Sequence, residues 1–305
     1  MNYEYLRNMA AQPQKQKETI DYLAGHLSRF AKRMDAVLIC LPQQENDGLS
    51  SLMEQAVLRC EGTPVVWGQD HRWKSLMRLA FSTRASVMIS TPLIVLGLAK
   101  LRSFYSVPLF VRNVVTVGYP CTDWMMDGIH RGFDCTCRGC YSVGMTDIVA
   151  GFSCDRVTGV HLRESAFLAE VVDRNRRRLP EGSEGEIVLS PVSAPQVRYF
   201  TGENGRIDRR PCVCGCTGAL LTDIRPGRTE SDADLLELGK LLQSWSSVLD
   251  CRLRKGDHGL EMEIIALPGE RLPKLPTAAK QIIRDFDPET DEPFAYDPTQ
   301  KILGF

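Results

Sequence analysis

The 305 residues are 43% hydrophobic and 25% charged, a globular composition that excludes a disordered or fibrous chain and suffices for one large core plus a smaller unit. A net charge of −1 and a pI near 6.5 exclude the clustered, uncompensated cations that binding to nucleic acid or an anionic membrane requires. No stretch approaches the roughly 18 uninterrupted apolar residues of a membrane span, and the opening MNYEYLRNMAAQPQKQK has no apolar signal region, so the expectation is a cytoplasmic chain without a membrane partner. Eleven cysteines, an odd number, then read as reduced thiols and candidate metal ligands, not as a disulfide framework.

In chain order, Ile20, Leu23, Leu27, Phe30 and Met34 recur at helical spacing before a strand-like run Ala36 to Cys40. The alternation repeats: helix Leu49 to Leu58, strand Pro64 to Trp67, helix Trp73 to Phe81, strand Ser86 to Ser90, helix Pro92 to Leu101, strand Arg112 to Val117. A parallel-rich sheet covered by helices produces this pattern. After about residue 158 it gives way to β character: His161, Phe167 to Val172 and Glu186 to Leu189, with the basic run Arg174 to Arg178 read as a solvated turn. Beyond Arg225-Pro-Gly-Arg228 a small α+β unit is expected, built from helix Ser231 to Gln243, strands Val248 to Arg254 and Leu260 to Ala266 around a Gly-Asp-His-Gly turn, and helix Thr277 to Phe286. The expected fold class is therefore α/β, with a large first domain over residues 1–227 that includes a β subdomain, and a small α+β domain over 228–305.

Two cysteine-bearing stretches stand out, Cys154 to His161 and Cys212-Val-Cys214-Gly215. Three thiols and an imidazole are the ligand set of a closed tetrahedral zinc site. The competing reading is several small buried hydrophobes, because free cysteine is among the most buried residue types. Cys216 is a substitute ligand candidate. Cys135, Cys137 and Cys140 form a third group, read as buried thiols ahead of a second metal, with thiol redox chemistry ranked last.

The ordered series Val143-Gly-Met-Thr-Asp147, Gly159-Val-His-Leu-Arg-Glu164, Gly182-Ser-Glu-Gly-Glu-Ile-Val188, Arg198-Tyr-Phe-Thr-Gly-Glu203, Cys212-Val-Cys-Gly215 and Gly227-Arg228 resembles the adenylate-forming acid CoA ligases, most closely their phenylacetate CoA ligase branch. The resemblance runs from about residue 15 onward. It implies ATP or AMP with magnesium as ligands and CoA or an acyl group as substrate. It places Thr146 and Asp147 toward magnesium and phosphate, Glu203 on the ribose hydroxyls, Arg228 at ribose or phosphate, and Lys301 as a near-terminal catalytic lysine. It also implies that Cys154, His161, Cys212 and Cys214 hold a structural zinc.

The sequence departs from that family pattern. Val143 stands where the family has the aromatic that packs on adenine, which leaves open whether Tyr141, two residues earlier, takes its place. Asp147 and Glu203 each exchange one acid for the other. Within these residues no Ser/Thr/Gly-rich loop ending in Gly-Lys-Pro is found; Asp47 to Ser51 and Ser82 to Ser86 do not fit it. The chain is expected to begin just after the point where that loop ends and to lack the family's opening strands and helices. Losing those preorganised phosphate donors removes several kcal/mol of transition-state stabilisation. Two functions follow: a degenerate homologue acting as a nucleotide or acyl binding or partner subunit, or an active AMP-forming ligase or acyl transferase completed by another chain. A homodimer or partner chain would cover the exposed edge of a truncated sheet. Structural alternatives stand beside each site residue: Asp147 as a helix cap, Glu203 paired with Arg206, Arg228 in a linker, Lys301 in a tail, and His130 and His258 on the surface. Trp124, Phe152 and Phe167 fit a substrate pocket or a core equally.

Overall fold

The computed structural model describes residues 2–41, 48–68, 70–118, 123–143, 148–154, 159–227, 238–239, 241–256, 259–272 and 280–294. Two helices open the chain, α1 (Asn2–Ala10) and α2 (Pro13–Leu27). Then β1 (Ala36–Cys40), α3 (Gly48–Arg59), β2 (Thr63–Val66), α4 (Trp73–Ser82), β3 (Val87–Ser90), α5 (Pro92–Tyr105), β4 (Asn113–Gly118), α6 (Asp123–Phe133) and β5 (Thr136–Ser142) alternate. Strands β1 to β5 pair in parallel in the order β2-β1-β3-β4-β5. Their apolar runs are continuous because both faces are covered. Val37, Ile39, Val87, Ile89, Val115 and Val117 pack on the α2 and α3 side. Leu38, Cys40, Met88 and Val114 pack on the side of α4, α5 and α6.

The β character expected after residue 158 begins earlier and extends the same sheet. Strands β6 (Val149–Phe152), β7 (Val160–Leu162), β8 (Phe167–Val172), β9 (Gly185–Pro191), β10 (Tyr199–Asp208) and β11 (Leu220–Pro226) continue it. The resulting 11-stranded order is β2-β1-β3-β4-β5-β6-β7-β11-β10-β9-β8, antiparallel from β5 onward. This half has its own core, in which Leu6 of α1 joins Tyr141, Val143, Val160, Ile187 and Leu221. Phe152 and Phe167 are core residues, 1% and 3% exposed.

Three expectations are corrected. The first long helix stops at Leu27, and Met34 is 75% exposed with a left-handed φ of 67°; the helical spacing of Phe30 and Met34 is coincidental. Helix α6 stands in a stretch given no element. The helix expected over Thr277 to Phe286 is instead a strand over its described part, β14 (Lys280–Asp285). It pairs in parallel with β13 (Gly259–Ala266), which is antiparallel to β12 (Val248–Gly256). The β-branched pair Ile282-Ile283 suits an edge strand, and six register pairs with β13 outweigh the helix preference of Ala278, Ala279, Lys280 and Gln281. Most of the expected Ser231 to Gln243 helix lies outside the described residues.

Candidate functional site

Two segments distant in sequence meet beside β7. Strand β7 lies between β6 and β11, with His161 opposite both Phe152 and Leu220. Cys154 follows β6, and Cys212 and Cys214 precede β11, so neighbouring strand ends carry all four residues to one place. The ligand atoms of Cys154, His161, Cys212 and Cys214 lie within 4.8 Å of one another. Cys154 Sγ is 3.9 Å from Cys212 Sγ, and Cys214 Sγ is 3.3 Å from His161 Nε2. Tetrahedral zinc, with bonds of about 2.3 Å to sulfur and about 2.0 Å to nitrogen, has edges of roughly 3.8 Å (S to S) and 3.5 Å (S to N). The donor set fits zinc.

The 212–216 turn shapes half of that site. The Gly215 amide donates to Cys212 O at 2.9 Å and the Cys212 amide to Cys216 O at 2.8 Å. Gly215 sits at φ +92°, a left-handed conformation that side chains with a Cβ rarely adopt. The amides of Cys214 and Cys216 point at the sulfurs of Cys212 and Cys214, both at 3.5 Å. The Cys216 amide lowers the Cys214 thiol pKa and so favours the thiolate that binds metal. Burial lowers the pKa of His161, favouring the neutral imidazole that ligates. Cys216 thus contributes an amide, and its thiol is outside the cluster. Cys135, Cys137 and Cys140 are buried and form no second metal cluster among the described residues. Burial pushes the thiols of Cys135 and Cys140 up to about 12.

Next to this centre lies a group that sequence reasoning assigned no role. Arg163, two residues beyond His161, is 7% exposed. Its Nη1 donates to Thr19 Oγ1 at 2.8 Å, and its guanidinium lies 5.0 Å from the centre of the Tyr22 ring. Arg163 Nε and His161 Nδ1 are buried without a hydrogen-bond partner among the described residues. His26 stacks on Phe152 at 4.5 Å, and burial pushes it down to about 4. The alternation of strand side chains, which puts positions 161 and 163 on one face, was the available signal.

The residues that the resemblance assigns to nucleotide fall into two groups. Thr146, Asp147, Arg228 and Lys301, and also His258, lie outside the described residues. Tyr141 and Glu203 are brought together: the Tyr141 hydroxyl donates to Glu203 Oε2, with the two residues 0% and 2% exposed. Burial pushes the Glu203 carboxyl up to about 7, against the opposing pull of the Tyr141 hydrogen bond. Glu203 does not pair with Arg206, which instead bridges Glu184 at 3.0 Å and Asp223 at 3.2 Å. The backbone just before Glu203 is tied down: Thr201 Oγ1 accepts from the Glu203 amide at 3.1 Å and donates to Ile187 O at 2.8 Å. Away from this cluster, Trp124 and Phe104 line a cavity of about 330 Å³ where α5 and α6 face residues 243–270.

No protein-family profile matches the sequence, and no curated protein matches it. Solved structures do resemble the fold. A 2-hydroxyisobutyryl-CoA ligase bound to an acyl adenylate superposes with a TM-score of 0.70 at 13% identity, covering 93% of this chain and 69% of that one. An anthranilate CoA ligase bound to anthranoyl-AMP gives 0.57 at 10% identity over 94% and 61%. A benzoate CoA ligase from Burkholderia xenovorans gives 0.58 at 11% over 87% and 62%. The chain spans between three-fifths and seven-tenths of these enzymes. Among the described residues no helix is long and apolar enough to cross a membrane. With its parallel layer running into an antiparallel β half within one sheet, and a second, three-stranded sheet, the chain has the fold of the adenylate-forming CoA ligases.

Proposed function

We propose that this chain is a degenerate, phenylacetate CoA ligase-like homologue that keeps a structural zinc and acts in the cytoplasm as a nucleotide or acyl binding, or partner, subunit. The observation that carries the reading is the state of Glu203. Gripping two ribose hydroxyls needs an ionised carboxylate open to the ligand, because a carboxylate accepts through both oxygens. Glu203 is 2% exposed, accepts from Tyr141, and titrates near neutrality because of its burial. Such a group is poorly prepared for autonomous adenylation, which depends on donors and acceptors held ready for the transition state.

Zinc is supported by the convergence of four ligand atoms and by a turn that aims two amides at its sulfurs. All four coordination positions are filled by protein, so the metal would fasten β6, β7 and the 212–216 turn together and hold no water for hydrolysis. The test is elemental analysis of the purified chain together with a thermal-shift series against magnesium-ATP, AMP, CoA and an aryl-acyl CoA. One zinc per chain, stabilisation by AMP or an acyl-CoA, and no ATP-dependent thioester formation are expected. Thioester formation by the chain alone would overturn degeneracy, and a metal-free protein would remove the zinc.

A further inference from the structure

Described residues of the two nucleotide-motif segments share a packed cluster with α1. Tyr3, Leu6, Met9 and Ala10 lie on one side of this helix at three- and four-residue spacing. Leu6 is 0% exposed and belongs to the same packed cluster as Tyr141, Val143 and Ile148, with Met9, Ala10 and Tyr199 at its margin. The Tyr3 ring lies 5.9 Å from the Tyr199 ring. Tyr199 in turn lies within electrostatic reach of both Tyr3 and Glu203. The helix therefore sits against β10, which carries Glu203, and shares its packed cluster with Val143 and Ile148, the described flanks of the β5–β6 connection.

We propose that α1 is a self-supplied occupant of the nucleoside seat, so that an adenine nucleotide reaches Glu203 only when α1 leaves. This rests on the nucleotide-binding reading above. The helix is built to leave. It has 9 residues, fewer than the roughly 12 to 15 that make an isolated helix even marginal in water. Leu6 is the only residue of 3–10 that is fully buried, while Tyr3, Glu4, Tyr5, Arg7 and Asn8 are exposed. Elements with so few buried contacts open at low free-energy cost. The joint is short as well: Gln12 is extended at φ −65° and ψ 132°, and Pro13 starts α2. Proline disfavours helical geometry in the residue before it, so α1 and α2 cannot fuse into one rigid rod and α1 can swing on residues 11–12. Release would uncover Tyr199, which Tyr3 now faces, and on this proposal would open a path to the Tyr141–Glu203 pair; together they offer an acid and two phenol rings, a set that suits a ribose and a base.

The full-length chain carrying Leu6→Glu, and a second carrying Tyr3→Ala with Leu6→Ala, are compared with wild type for AMP binding by calorimetry. Hydrogen exchange at 141–143 and 199–204 reads whether the seat has opened. Both variants should expose those amides and bind AMP about tenfold or more tightly than wild type, as expected when most molecules begin in the closed state. A peptide of residues 1–12 should compete AMP off again. Equal AMP affinity in wild type and variants would overturn the occupancy proposal and leave nucleotide binding standing. Absence of AMP binding in variants whose seat has opened would overturn both. Unchanged exchange in both variants would show that α1 does not cover the seat and would overturn the proposal.

Discussion

Burial lowers the pKa of the buried Arg163 guanidinium, against the opposing pull of Tyr22 and Glu18, which lie within electrostatic reach but form no ion pair with it among the described residues. A cation so placed is costly unless some anion compensates it. With the proposed zinc bound, three thiolates, one neutral imidazole and Zn²⁺ would sum to a single negative charge, and the candidate ligand His161 stands two residues before Arg163 in the chain. Arg163→Met should therefore weaken zinc binding roughly 10- to 100-fold, the usual effect of losing a partner in the shell around a metal. Competition with a chromophoric chelator measures it; Arg163→Lys should restore most of the affinity, and equal losses of apo and zinc-loaded stability would instead mark a packing role. Cys214→Ser should abolish stoichiometric zinc outright. Glu203 offers a pH test. Its folded pKa of about 7, above the ordinary 4.5, means that the folded chain holds a proton the unfolded chain gives up. Stability from this residue is complete below about pH 4.5 and is lost as pH rises through 7, by up to about 3 kcal/mol. Glu203→Gln should flatten that decline, which urea unfolding at pH 5 and pH 8 would show; an unchanged slope would refute the buried proton. The convergence of Cys154, His161, Cys212 and Cys214 was legible as a candidate because ligand chemistry is written in residue type and local spacing. The Tyr141–Glu203 bond was not, since it depends on how β5 and β10 face each other across a shared core, which no spacing encodes.

Among the elements, β1 to β4 and α3 to α5 were readable because strands buried on both faces become unbroken apolar runs, and helices between them keep a period of 3.6. Strand β14 was hidden, since its helix-forming residues are overruled by pairing with β13, a partner visible only in the fold. Glycine inside a helix is a subtler case. Gly97 of α5 lowers intrinsic helix stability, yet a Cβ built there would come 2.2 Å from Trp73 Cη2, and Trp73 is 1% exposed. The same device recurs at Gly132 of α6, where a Cβ would meet the Ala99 Cβ at 2.3 Å. These glycines let α4, α5 and α6 approach closely. Gly97→Ala should destabilise the chain by about 1–3 kcal/mol through overpacking, despite a propensity gain of up to about 1 kcal/mol. Chemical denaturation would decide it: a stabilised variant would mean that the indole moves aside freely.

For the whole molecule, the open matter is whether the boundary expected at residues 227 and 228 separates two independent units. The packing argues for coupling. Leu249, Ile265, Leu267, Phe286 and Phe294 share one core with Leu76, Ala80, Leu98 and Leu101 of α4 and α5. Polar ties follow the same seam: the Trp73 amide donates to Asp291 O at 3.0 Å, and Lys100 Nζ donates to the carbonyls of Gln243 at 2.7 Å and Val248 at 2.6 Å. A covalent linker alone would let each part melt by itself, but a common core makes removal of one part expose the other, so cooperative loss is expected. Phe286, 4% exposed, probes this most directly. Phe286→Ala should lower stability by about 3–5 kcal/mol, and calorimetry should still show one transition, shifted downward as a whole. If the variant instead splits into two transitions, the one assigned to residues 1–227 keeping its wild-type midpoint, the two parts are independent and the seam is only a docking contact.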